Sequence, residues 1–160
     1  MNIQVEHPVS EMVTGVDIVR EQIRVASGLP LSYKQSDIVM KGHAIECRIN
    51  AEDVHKNFMP SPGEIKFLNL PGGYGVRVDT AIYPGYRISP HYDSMIAKVL
   101  VHAPTRDAAV AKMRTALDEM LITGVDTNLD FQFQIMRNPV FREGRATTGF
   151  VNQMMRIDEM

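Results

Sequence analysis

The chain has 160 residues, 44% hydrophobic and 22% charged, with 17 basic against 19 acidic side chains and a formal net charge of −2. That is enough chain for one ordinary domain with a sizeable core, and the charge balance lacks the basic excess that nucleic acid or an anionic membrane would attract. Cys47 is the only cysteine, which excludes an intrachain disulfide and a thiolate metal cluster.

The chain opens on MNIQVEHPVSE, a polar stretch that sets the carboxylate Glu6 beside the imidazole of His7. Val16, Val19, Ile23 and Ala26 then recur at helical spacing, which predicts a helix over about 15–27 with Thr14 as its cap. Gly28 and Pro30 end it. GHAIECRIN, residues 42–50, alternates with a period of two: His43, Ile45, Cys47 and Ile49 on one face, Glu46 and Arg48 on the other, the pattern of a strand. The proline- and glycine-bearing stretch at 51–64 reads as a long turn. IKFLNL is a short strand, YGVRVDTAI alternates again after the PGG turn, and SMIAKVLVHA is a further strand.

Thr105 is a predicted N-cap for a helix over about 105–121, with Ala109, Val110, Met113, Ala116, Leu117 and Met120 on its apolar face. A second helix is expected from near Thr127 to Met136, and the tail from 140 gives no clear signal. Hairpin-like strands flanked by helices, without βαβ alternation, predict an α+β fold with a mostly antiparallel sheet. The N-terminus lacks a charged region followed by an apolar run, and no stretch reaches the roughly 18 apolar residues of a membrane span. A cytoplasmic protein is therefore expected.

Several side chains are candidates for chemistry, and each has an ordinary structural alternative. A carboxylate such as Glu6 can act as a general base, or it is a solvated terminal group. A guanidinium held on a strand, as Arg48 is, can stabilise an oxyanion, or it pairs with Glu46. Arg77 serves an interface together with Tyr74, or pairs with Asp79. Lys98, inside an apolar strand, projects into a site or snorkels. HYDS at 91–94 resembles a nucleophile cluster only loosely, and Asp93 and Ser94 suit turn organisation; an unrelated enzyme would draw on Glu6, His91 and Asp93. The histidines form no metal-ligand spacing, and neither GxxxxGK[ST] nor GxGxxG is present, so no metal site is expected from the motifs.

IQVEHPVSEMVTGVD, GHAIECRINAED, PSPGEI, PGGYGVRVD, YDSMIAKV and TGVDTNLDF, taken together and in this order, resemble the C-terminal part of biotin carboxylases. These are the biotin-dependent ATP-grasp components of acetyl-CoA carboxylase and related carboxylases. The resemblance implies a remnant of an ATP-grasp domain over 1–30 and a biotin carboxylase C-terminal domain over 35–156. It implies carboxylation of biotin with ATP, Mg2+ and bicarbonate, the first half-reaction of acetyl-CoA carboxylase in fatty acid synthesis, by way of carboxyphosphate and a biotin enolate. By motif, Glu6 resembles the base that deprotonates bicarbonate, and Gln4 and Val5 resemble groups that orient it. Arg48 resembles the cation at the enolate oxygen, and Phe150 an apolar contact to adenine. Tyr74 and Arg77 resemble residues of a homodimer interface. The implied partners are biotin carboxyl carrier protein and carboxyltransferase.

The family pattern before QVEH is longer, roughly E-M-N-x-R-x: either two residues, the arginine among them, are missing after Asn2, or Asn2 stands in the arginine's place. Its metal-binding glutamate and nucleotide-binding lysines have no counterpart here. The expectations are that the isolated chain is inactive and binds none of these ligands firmly, and that the apolar face from Val16 to Ala26 is exposed. The alternative reading is a non-catalytic dimerisation module, or one that binds another component of a carboxylase.

Overall fold

The apolar alternation of HAIECRIN becomes strand β1, His43–Asn50, with Ile45, Cys47 and Ile49 buried and Arg48 exposed. The structure, a computed structural model, describes residues 3–158. The other strands are β2 (Glu52–Asp53), β3 (Met59–Pro60), β4 (Phe67–Asn69), β5 (Val76–Thr80), β6 (Met95–Ala103) and β7 (Leu121–Thr123). The helices are α1 (His7–Thr14), α2 (Ile18–Ala26), α3 (Arg106–Glu119), α4 (Leu129–Arg137), α5 (Pro139–Arg142) and α6 (Phe150–Asp158).

The main sheet is antiparallel, in the order β1-β6-β5, with β6 central. One face carries Ile45, Cys47 and Ile49 of β1 with Ala97, Val99 and Val101 of β6, and α3 packs on it. Thr105 caps α3 as its sequence predicts, its Oγ1 accepting from Ala108 N at 3.2 Å. Ala109, Val110, Met113, Ala116 and Leu117 are buried against the sheet, and Phe131, Ile135 and Met136 of α4 close the core from beyond α3. Burying each large apolar side chain of this kind is worth about 1.5–3 kcal/mol.

The opposite face of the sheet is polar. Register places Arg48 opposite Lys98 and Lys98 opposite Asp79, with Glu46 and Arg77 each opposite Leu100. Helix α1 covers this face and brings Glu6 and Glu11 onto it. Gly75 opens β5 at φ +73°, where a Cβ would press on the carbonyl of His102, so the tight entry into that strand needs glycine.

The first helix differs from its sequence expectation. The segment over 15–27 is α2 alone, capped by Asp17, whose Oδ1 accepts from Arg20 N at 2.8 Å. Thr14 ends α1 instead, because Gly15 turns left-handed between the two helices at φ +75°. The expected long turn at 51–64 contains the short β2–β3 ladder, with Asn57 and Phe58 at positive φ. Leu121, placed at the end of a helix by periodicity, starts β7, which pairs with β4.

Candidate active site

The site stands where α1 meets the polar face of the sheet. Glu6 is the residue before α1 and Arg48 projects from β1. Arg48 Nη2 donates to Glu6 Oε2 at 2.9 Å across 42 residues of sequence. Both side chains remain about half exposed, 49% for Arg48 and 58% for Glu6, so the pair is open to solvent and to a ligand.

A second carboxylate lies beneath the arginine. Glu46 Oε1 sits 3.6 Å from Arg48 Nε, and its side chain is only 6% exposed. Its Oε2 finds no hydrogen-bond partner among the described residues. Burial pushes the Glu46 carboxyl above its ordinary value, against the opposing charges of Lys98 and Arg48.

The backbone carrying Arg48 is pinned from α4. Asn128, a buried polar residue, donates from Nδ2 to Arg48 O at 3.1 Å and accepts from Asn50 N at 2.9 Å. Gln132 Nε2 also donates to Arg48 O, at 3.3 Å. The sequence placed Asn128 only within a motif; its role depends on a contact across 80 residues that periodicity does not show.

A third group fixes the start of α1. Lys98 is 13% exposed at its side chain; its Nζ donates to Val5 O at 3.1 Å and lies 3.6 Å from Asp79 Oδ2. Its amine thus turns into the site rather than snorkelling to solvent. Asp79 is gripped in turn by Arg77, from Nε at 2.7 Å and Nη2 at 2.9 Å, and Arg77 Nη1 donates to Glu11 Oε2 at 2.7 Å. Burial works to raise the Asp79 carboxyl, but the hydrogen bonds and charge of Arg77, helped by Lys98, outweigh it and hold the carboxyl below its usual value. Hydrogen bonding to Asp79 leads the causes that raise Arg77, against its desolvation.

The structure therefore brings Val5, Glu6 and Arg48 together. Gln4 is exposed at the start of the described chain, and its carbonyl lies 2.9 Å from Nδ1 of His7. Phe150 is 7% exposed and belongs to the core, where its side chain is committed to packing. Asn2 lies outside the described residues. Tyr74 is 97% exposed, whereas Nε, Nη1 and Nη2 of Arg77 are all engaged within the chain. Asp93 Oδ1 accepts from Met95 N at 2.8 Å and organises the entry to β6, and His91 is exposed on the preceding turn. Among the described residues, no group of three or more His, Cys, Asp or Glu side chains is arranged to hold a metal ion.

A family profile described as "Biotin carboxylase C-terminal domain" matches residues 46–153, well over half the chain. This chain belongs to the biotin carboxylase family. A second profile, "Carbamoyl-phosphate synthase L chain, ATP binding domain", matches residues 1–34. Biotin carboxylase 1 of Bacillus subtilis (strain 168) is 58% identical over 149 residues, covering 93% of this chain and 33% of that protein. The biotin carboxylase of Allochromatium vinosum is 55% identical over 155 residues, covering 97% of this chain and 34% of that protein. The chain thus spans about a third of the length of the curated relatives it matches.

Among solved structures, the biotin carboxylase domain dimer of Hydrogenobacter thermophilus 2-oxoglutarate carboxylase, in complex with MgADP, ADP and bicarbonate, superposes with a TM-score of 0.95. It is 50% identical, covering 98% of this chain and 34% of that one. The α+β architecture is therefore that of biotin carboxylase domains, as the motifs implied. Among the described residues, no helix is long and apolar enough to cross a membrane.

Proposed function

We propose that this chain supplies the bicarbonate- and biotin-facing wall of a biotin carboxylase site. The observation that carries the reading is the solvent-open contact of Glu6 with Arg48 at 2.9 Å, made across the junction of α1 and β1. Glu6 accepts the proton of bicarbonate, with Gln4 and the Val5 backbone orienting the anion beside it. Arg48 meets the negative charge that develops on the ureido oxygen of biotin, and a guanidinium fixed on a strand does so with little reorganisation. Each partner masks the other when no ligand is bound, so substrate entry replaces their mutual contact.

The overall reaction is carboxylation of biotin on a carrier protein with ATP and bicarbonate. Residues 1–30 form the end of an ATP-grasp unit and residues 35–156 a biotin carboxylase C-terminal domain, a division the two profile matches support. These residues do not fit a magnesium ion: Glu6 is tied to Arg48, and Asp79 and Glu11 to Arg77, which leaves Glu46, buried with an unpartnered Oε2, as a single carboxylate with no second one beside it to complete a cation site among the described residues. Phe150 is buried in the core and presents no face to a nucleotide. Acetyl-CoA carboxylase, with its carrier and carboxyltransferase partners, is the parent system we propose. The free thiol Cys47, buried in the core, suits the reducing cytoplasm.

A second reading, an interaction module, is favoured by exposed apolar surface. Tyr74 is 97% exposed, and Val19 and Ile23 of α2 are 42% and 64% exposed, as expected for that helix face.

The test is a chimera in which this chain replaces the matching segment of the Bacillus subtilis relative. Biotin-dependent ATP hydrolysis that Arg48→Ala abolishes is expected. A folded chimera whose turnover is indifferent to Arg48→Ala would overturn the assignment. The 160-residue chain alone is expected to show no such turnover.

A further inference from the structure

We propose that Lys98 is a positioning residue that sets where Glu6 stands relative to Arg48, by holding the carbonyl of Val5. The inference deepens the active-site reading above and rests on it for its catalytic consequence. Its structural content stands separately.

Three observations converge on Lys98. First, its place in the sheet is fixed: β6 is the central strand, and register sets Lys98 directly between Arg48 on β1 and Asp79 on β5. Second, its amine is committed. Nζ donates to Val5 O at 3.1 Å and pairs with Asp79 Oδ2 at 3.6 Å, while 13% exposure leaves the side chain little competing water. Third, Val5 is the residue before Glu6, so the peptide held by Lys98 leads directly into the carboxylate that Arg48 contacts.

Arg48 and Lys98 are neighbours on one rigid sheet, so the cation of the Glu6–Arg48 pair and the anchor of the Glu6 backbone move as one unit. Beyond Val5, the start of α1 is held by local bonds such as His7 N to Gln4 O at 3.2 Å and Val9 N to Glu6 O at 3.0 Å. Asp79, clamped by Arg77, keeps the Lys98 amine from swinging away. A charged donor suits this task because one amine serves a carboxylate and a carbonyl at once. Methionine, apolar and one atom shorter, fills nearly the same space and leaves Val5 O free.

The first arm of the test uses the 160-residue chain and requires no activity. Amide hydrogen exchange is measured for Lys98→Met at His7 and Val9, relative to Val99 and Val101 in the sheet core. Loss of a hydrogen bond from a charged donor predicts about tenfold faster exchange at His7 and Val9 with the core ratio unchanged. Lys98→Gln, whose shorter side chain does not span to Val5, is the second variant should the first not fold, and the same loosening is expected. An unchanged ratio at His7 and Val9 overturns the proposal.

The second arm uses the active chimera. Lys98→Met is expected to lower kcat for biotin-dependent turnover about tenfold with KM for ATP unchanged. It is expected to cost nothing further in a Glu6→Gln background. An equal loss in both backgrounds shows that Lys98 does not act through Glu6 and overturns the catalytic part. A chimera without any turnover sinks the active-site reading, and the exchange ratio still decides whether Lys98 anchors Val5.

Discussion

Replacing Arg77 by methionine removes the clamp between α1 and β5, deprives Glu11 of its cation and leaves Asp79 only the amine of Lys98, at 3.6 Å. Three donors are lost: two to Asp79 at 2.7 and 2.9 Å, and one to Glu11 at 2.7 Å. The carboxylates are largely shielded, at 29% exposure for Asp79 and 11% for Glu11, whereas Arg77 itself is 37% exposed. Breaking a fully buried pair costs about 3–5 kcal/mol and a surface pair about 0–1. Discounting for solvent at Arg77 puts the expected loss near 2 kcal/mol, a fall in Tm of about 4–8 °C for a chain of this size. The pH dependence follows from Asp79, whose carboxyl is held below its usual value in the folded state. A depressed carboxyl contributes stability above its unfolded value, about pH 3.9, and loses it as pH falls through the folded value. The gap between parent and variant is thus full at pH 7 and shrinks below about pH 4. Urea unfolding followed by circular dichroism at both pH values measures it. A gap independent of pH, or one below about 0.5 kcal/mol at pH 7, would refute the clamp.

Glu46→Gln should not destabilise the chain at pH 7. The Glu46 carboxyl is raised by burial, so its contribution to stability is present at low pH and lost as pH rises through the folded value. The advantage of glutamine should therefore grow with pH between urea titrations at pH 4 and pH 7, and a variant less stable at pH 7 than at pH 4 relative to its parent contradicts this. Cys47 is 2% exposed and its thiol is pushed up to about 12, by burial first and then by the charge of Glu46. Iodoacetamide should label it only on unfolding, and rapid labelling of the native chain would contradict its placement. If Tyr74 anchors a dimer, Tyr74→Ala should weaken association by about tenfold or more in sedimentation equilibrium, since exposed aromatic anchors dominate such interfaces; an unchanged association constant removes it from the interface.

Much of the sheet was legible in the sequence because burial imposes its period on the residues. Ile45, Cys47 and Ile49 announced β1, and Thr105 with the Ala109-to-Leu117 face announced α3. Elements that depend on distant partners were not legible. β7 has three residues, two of them exposed, and becomes a strand because Phe67, Leu68 and Asn69 pair with it. α1 is eight residues long and has only Pro8 buried, too little for a periodic signal. The site was legible to the same extent. Glu6 and Arg48 stood out by motif, but the pinning of Arg48 by Asn128 and the turn of Lys98 toward Val5 required the register of three strands and the seating of α1.

The most direct test of the central claim is transfer of label from [14C]bicarbonate to free biotin by the chimera carrying this chain, with ATP and Mg2+ present. Carboxybiotin is expected from the parent chimera, and at least about a hundredfold less from Glu6→Gln and from Arg48→Ala, since loss of a proton acceptor or of the cation at a developing charge costs about that much. Label transfer at the parental rate in both variants would contradict it.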